Sequence, residues 1–172
     1  MNKHLLLLVS SMFMMSFIFN GCSKKSEQEY WDLGHKFEKE GKFAEAIDSF
    51  ESLVSNYPSS PKASAVLFEI GKLYQSKSVK NISDTDALKK SISYYEKISD
   101  DYPNSPEAPS ALFMVGFIYA NDLRDFNSAT QALKKFLAKY PKHEMASSAQ
   151  AELDNMGLTP DEILKKNLEA KQ

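Results

Sequence analysis

The chain has one cysteine, three histidines and no surplus of positive charge, and each shortage removes a class of function. A lone cysteine cannot close an internal disulfide. With His4 in the N-terminal stretch, only His35 and His143 remain, far apart along the chain, and no second cysteine joins them as a zinc ligand. Lys and Arg total 21 against 23 acids, so the chain lacks the basic face that nucleic acid requires. Neither a G-x-S-x-G elbow nor a Walker sequence occurs, and the three glycines Gly34, Gly71 and Gly116 are too dispersed for a phosphate loop. Asp100-Asp101 and the pair Asp122/Asp125 fall at expected helix ends and turns, where acids are ordinary solvated residues. The expectation is a protein that is not an enzyme and carries no cofactor or metal.

What the chain does have is one sentence written repeatedly. SFESLVSNYPSSPKASAVLFEIGKLY (Ser49–Tyr74) returns as SYYEKISDDYPNSPEAPSALFMVGFIY (Ser93–Tyr119), and fades in QALKKFLAKYPKHEMASSAQAEL (Gln131–Leu153). A single supersecondary unit recurring in this way defines a solenoid, whose repeats bury their apolar faces against one another. Tyr30, Leu33, Gly34 and Phe37 share one face of a helix, and Glu40-Gly41-Lys42 breaks it. From Phe43 a second helix presents Ala46, Ile47, Phe50, Leu53 and Val54 until Tyr57-Pro58, since a residue before proline leaves the helical region. Ser60-Pro61 and Ser105-Pro106 are expected to open helices with a serine cap. Thr159-Pro160-Asp161-Glu162 reads as a capping box for a last helix bearing Ile163, Leu164 and Leu168 on one side.

This pattern resembles the tetratricopeptide repeat (TPR), whose first helix carries W-x₂-L-G-x₂-Y and whose second carries A-x₃-F before a closing proline. Tyr30-x₂-Leu33-Gly34-x₂-Phe37 with Ala46-x₃-Phe50 and Pro58 fits without insertion. Leu67-x₂-Ile70-Gly71-x₂-Tyr74 fits again, followed by about eight extra residues and then by Ser91, Tyr95, Ile98 and Pro103 at the family positions. Leu112-x₂-Val115-Gly116-x₂-Tyr119 with Ala129, Leu133, Phe136 and Pro141 fits with one residue added. Glycine inside a helix costs about 1 kcal/mol relative to alanine. Three at one offset therefore imply a packing need, met if the partner helix, small at Ala46, Ser91 and Ala129, comes close. The fold class implied is all-α, a right-handed TPR solenoid of about three repeats (27–60, 61–105 and 106–143) with a cap at 144–157 and a C-terminal helix at 158–172.

The N-terminus carries a different signal. Met1–His4 holds one lysine, and Leu5–Phe19 is a run of fifteen uncharged residues, short of the roughly 20 needed to span a bilayer. It matches the apolar core of an export signal. The run ends Phe19-Asn20-Gly21-Cys22, which resembles a bacterial lipobox, although Phe19 and Asn20 stand where Leu and a small residue are commonest. That resemblance implies cleavage of residues 1–21 and lipidation of Cys22, which would also account for the lone cysteine. Residues 22–26 then form a tether, with Lys24 and Lys25 read as a solvated spacer, and the charge of the mature chain becomes 20 − 23 = −3.

A lipobox followed by YP-x-S-P-x-A…A-L-x-x-x-G-x-x-Y repeats resembles two envelope families. One is the outer-membrane lipoprotein of β-barrel assembly (BamD type); the other is the periplasmic TPR protein of the Tol-Pal system (YbgF type). The first implies an outer-membrane adaptor, anchored through Cys22 and facing the periplasm, with an envelope protein as partner. The second implies a role in envelope integrity. Three repeats are fewer than the first family usually carries, and the N-terminal coiled coil of the second is missing. In TPR proteins, ligand-facing side chains come from the first helix of each repeat. Carried over, these positions are Trp31 and His35, Phe68 and Lys72, Phe113 and Phe117, with His35, Glu38, Lys72, Gln75 and Asn121 as polar neighbours. Aromatic anchors in a concave groove suit an apolar helix or extended segment. The alternative is that the same rings are half-buried core.

Overall fold

A computed structural model describes residues 24–170. The signal run and Cys22 lie outside the described residues, which contain eight α-helices and no strand. The first pair is α1 (Glu27–Lys39) and α2 (Phe43–Asn56), the second α3 (Ala63–Gln75) and α4 (Asp84–Asp101), the third α5 (Ala108–Phe117) and α6 (Phe126–Lys139). Two shorter helices follow, α7 (Ala146–Asn155) and α8 (Pro160–Glu169).

Local chemistry sets the boundaries. Ser26 and Glu29 close a reciprocal capping box on α1: the Ser26 hydroxyl accepts from the Glu29 amide at 3.2 Å, and the Glu29 carboxylate accepts from the Ser26 amide at 2.7 Å. Gly41, at φ +70°, makes the reversal into α2. Tyr57, Tyr102 and Tyr140 all end their helices at φ near −130° and ψ between 51° and 60°, the non-helical geometry that the following proline requires. The Ser-Pro restarts differ from expectation. Ser60 and Ser105 sit in turns before the helices, whose capping positions are Lys62 and Glu107. The Ser60 hydroxyl accepts from the Lys62 amide at 2.9 Å, and the Ser60 carbonyl from Ala63 at 3.0 Å, so the serine folds the turn rather than capping α3.

Both departures from the regular repeat length are absorbed locally. The extra residue of the third unit becomes a π-helical turn, Ile118–Asp122, continuing α5, which is how a one-residue insertion enters a helix without breaking it. The longer insertion goes partly into α4, which has 18 residues against 14 in α2, and partly into the connection from Ser76 to Ser83. Val79 and Ile82 of that connection pack back onto the core.

The helices stack in two layers. Ser64 of α3 bonds Glu107 at the start of α5 (2.8 Å), and Lys62 pairs with Glu27 of α1 (3.3 Å), which joins the first helices. Tyr94 of α4 bonds Glu51 of α2, which joins the second helices. Where the layers meet, each repeated glycine receives a large side chain. A Cβ on Gly34 would overlap the Phe50 ring, one on Gly71 would lie 2.6 Å from Tyr95, and one on Gly116 would lie 2.6 Å from Leu133. The glycine is thus a slot for the large residue four positions after Ala46, Ser91 or Ala129, and those small residues are each 0% exposed. The all-α solenoid architecture is what the repeats required.

Candidate functional site

The first helix of each pair carries the residues that TPR resemblance selects. On α1, Trp31 is half-buried with its ring edge-on to His35, centroids 4.5 Å apart, and His35 meets Phe50 edge-on at 5.1 Å. His35 Nδ1 lies 3.1 Å from the Glu38 carboxylate, and Lys62 reaches from the start of α3 to 5.5 Å above the Trp31 ring. A shallow hollow of about 580 Å³ follows this surface, lined by Trp31, His35, Lys36 and Lys39. On α3, Phe68 is half-buried and tilts over Tyr95 at 5.0 Å, while Lys72 is exposed and paired with Glu69 at 2.8 Å.

On α5 the two rings divide. Phe113 is 8% exposed and meets Phe136 edge-on at 5.8 Å. Phe117 stacks on it at 6.2 Å and keeps part of its face open. What stays accessible along the row is part of Trp31, His35, Phe68 and Phe117, together with the Lys72 ammonium. Of the polar neighbours, Gln75 accepts from the Tyr95 hydroxyl (3.2 Å), and Asn121 donates to Glu152 of α7 (3.2 Å) and to the Phe117 carbonyl (3.2 Å). The row can offer apolar area and a few charges to another chain.

Three of the four acids that the sequence singles out have partners. Asp101 pairs with Lys97 one turn back, Asp122 with Lys77 at 3.5 Å, and Asp125 caps α6 through the Ser128 amide at 3.1 Å. Glu96 is the one carboxyl among the described residues held above the ordinary range, by burial first and by the neighbouring Asp100 second, with Lys135 opposing. It lines a cleft of about 380 Å³ between α4 and α6 with Ser99, Tyr119, Gln131 and Lys135. Burial also raises the Tyr119 hydroxyl.

Two surfaces escaped the sequence. On the second-helix layer, Glu51, Val54, Leu67, Tyr94, Lys97 and Tyr102 line an open cleft of about 590 Å³. Its signal in the sequence is Tyr94, a ring outside the TPR pattern that directly precedes the core position Tyr95. The other is the tether. Lys24 and Lys25 are exposed, as a solvated spacer would be, yet they are held to the domain: the Lys24 ammonium sits 4.4 Å from the Tyr57 ring centroid and donates to the Asn56 carbonyl at 3.0 Å, and Lys25 lies 5.8 Å from the Tyr30 ring. Ring faces at the end of α2 and the start of α1 attract the ammonium groups and shelter their stems.

Fold and surface together define a TPR-like helical solenoid with a partly open row of aromatic side chains along one layer. A family model described as YfiO, outer membrane lipoprotein, matches residues 23–155, and the chain belongs to that family. The match begins next to Cys22 and ends with α7, so it spans every helix pair. No curated protein matched the chain.

Proposed function

We propose that the protein is a lipid-anchored adaptor of the bacterial envelope, held to the outer membrane through Cys22 and facing the periplasm, which serves outer-membrane protein assembly by binding another envelope protein. The observation that carries this reading is membership of the outer membrane lipoprotein family across residues 23–155, which include the whole solenoid of helix pairs. The row formed by Trp31, His35, Phe68, Lys72, Phe113 and Phe117 is the surface assigned to the partner. Phe113 supports it from beneath, and Trp31, Phe68 and Phe117 supply the contact area. Aromatic anchors on a rigid helical layer lose little conformational freedom on binding. The acids near the row cap helices or pair with lysines, which suits an adaptor rather than an enzyme.

Crosslinking in native membranes followed by capture of the tagged protein tests the reading, with Cys22→Ala as control. Recovery of the barrel-assembly outer-membrane protein, lost in the control, is the expected result. Recovery of Tol-Pal or peptidoglycan-linked proteins instead would move the role to envelope integrity.

A further inference from the structure

We infer that the tether is a clamp, which fixes the corner of the solenoid formed by the tether, the end of α2 and the starts of α1 and α3 as the face turned toward the lipid headgroups. The inference rests on lipidation of Cys22 and adds an orientation to it.

The closing turn of the second helix pair shows how repeats lock together: the Tyr102 hydroxyl donates to the Pro58 carbonyl, in the turn of the pair before, at 2.9 Å. No helix pair precedes the first among the described residues. Its equivalent tyrosine, Tyr57, donates to the Lys25 carbonyl at the same 2.9 Å. The tether thus occupies the place of a preceding repeat's turn. Such a bond does not come with every Tyr-Pro turn, for the Tyr140 hydroxyl is buried with no partner. Lys24 adds its bond to the Asn56 carbonyl and its position over the Tyr57 ring, and the Ser26–Glu29 capping box fixes where the tether enters α1. Lys62 ties the start of α3 to the same corner through Gln28 (2.8 Å) and Glu27 (3.3 Å).

From Lys24 back to Cys22 is two residues, a reach of at most about 7 Å between Cα atoms. A flexible tether would let the domain tumble about its lipid. A docked tether of this reach holds the corner at Tyr57, Ser59 and Lys62 against the headgroup layer. The opposite end of α2 stands about 20 Å away, given 1.5 Å per residue. The aromatic row on the first-helix layer is then presented at a set height and angle to a membrane-embedded partner.

The full lipoprotein, with Cys22 in thioether linkage, leaves an introduced cysteine as the one reactive thiol. Ser59→Cys and Ala44→Cys, both exposed, place a fluorophore at the corner and at the far end of α2. Each labelled protein is reconstituted into phosphatidylethanolamine–phosphatidylglycerol vesicles containing a headgroup-nitroxide lipid. Severalfold stronger quenching at position 59 than at 44 is expected, and Tyr57→Phe with Lys24→Ala should abolish the contrast while circular dichroism shows an intact fold. Equal quenching at the two positions overturns the clamp and leaves the anchor standing, as does a contrast that survives the double variant. Failure of the wild-type protein to float with vesicles overturns the anchor itself, and the clamp's membrane role with it.

Discussion

Replacing Gly71 with alanine sets two effects of opposite sign against each other. Alanine gains about 1 kcal/mol of helix propensity over glycine in a helix interior. Its methyl would stand 2.6 Å from Tyr95 Cε1, 2.9 Å from Cζ and 3.0 Å from Cδ1. Tyr95 has no room to yield: it is 0% exposed, its ring faces Phe68 at 5.0 Å, and its hydroxyl is bonded to Gln75. Overpacking a core costs about 1–3 kcal/mol, and contact with a fully enclosed ring belongs at the upper end. The net expectation is a loss of about 2 kcal/mol, which in a domain of this size lowers Tm by about 4–8 °C. Thermal unfolding followed by circular dichroism reads it directly. Tyr95→Leu trims the ring, so it should cost less stability in the Gly71→Ala background than in the wild type, a coupling that marks the clash as the cause. If Gly71→Ala is as stable as wild type or more so, the slot account of the three glycines is wrong.

Phe113→Ala, which empties a buried site beneath Phe117, should cost about 3 kcal/mol. Phe117→Ala, which removes a half-buried ring, should cost less, about 1 kcal/mol, and reduce partner capture, and the reverse pattern would assign the contact to Phe113. Ser83→Ala removes the hydroxyl that accepts from the Asp86 amide at 3.1 Å, and should cost about 1 kcal/mol by urea unfolding. Glu96 is exposed as a residue, but partial desolvation beside Asp100 holds its carboxyl above the ordinary 4.5. Its ionised form then destabilises the fold slightly, by an amount that solvent screening keeps small, once pH exceeds the folded value. Glu96→Gln should therefore be more stable than wild type at pH 7, and the difference should close as pH falls below 4.5. A gain that persists in acid would show a cause other than ionisation.

The solenoid was legible because its signals are redundant: apolar periodicity, a glycine at one offset and a Tyr-Pro stop agree in each unit. The glycines announce a close approach, yet spacing alone does not say which residue fills each slot. It places Ala46, Ser91 and Ala129 near the glycines, but packing sends the side chains of Phe50, Tyr95 and Leu133 there. The Ser-Pro restarts mislead because serine serves turns as readily as caps, and the Lys62 and Ala63 amides decide for the turn. The added residue of the third unit is countable, though its fate as a π-helical turn depends on helix packing that periodicity does not encode. At the aromatic row, spacing locates the rings, but the difference between Phe113 and Phe117 arises from Phe136, a residue of α6. The tether was least legible. Its docking depends on ring faces and carbonyls 32 positions away, as between Lys25 and Tyr57 or Lys24 and Asn56, beyond any local pattern.

The most direct test of an anchored adaptor with a first-helix docking row is site-directed photocrosslinking in living cells. A photoreactive residue at Lys72, exposed in the middle of the row, is compared with one at Lys89, exposed on α4. The account predicts one prominent envelope-protein adduct from position 72, none from 89, and its loss in the Cys22→Ala background. An adduct formed from position 89 and not from 72 would contradict it.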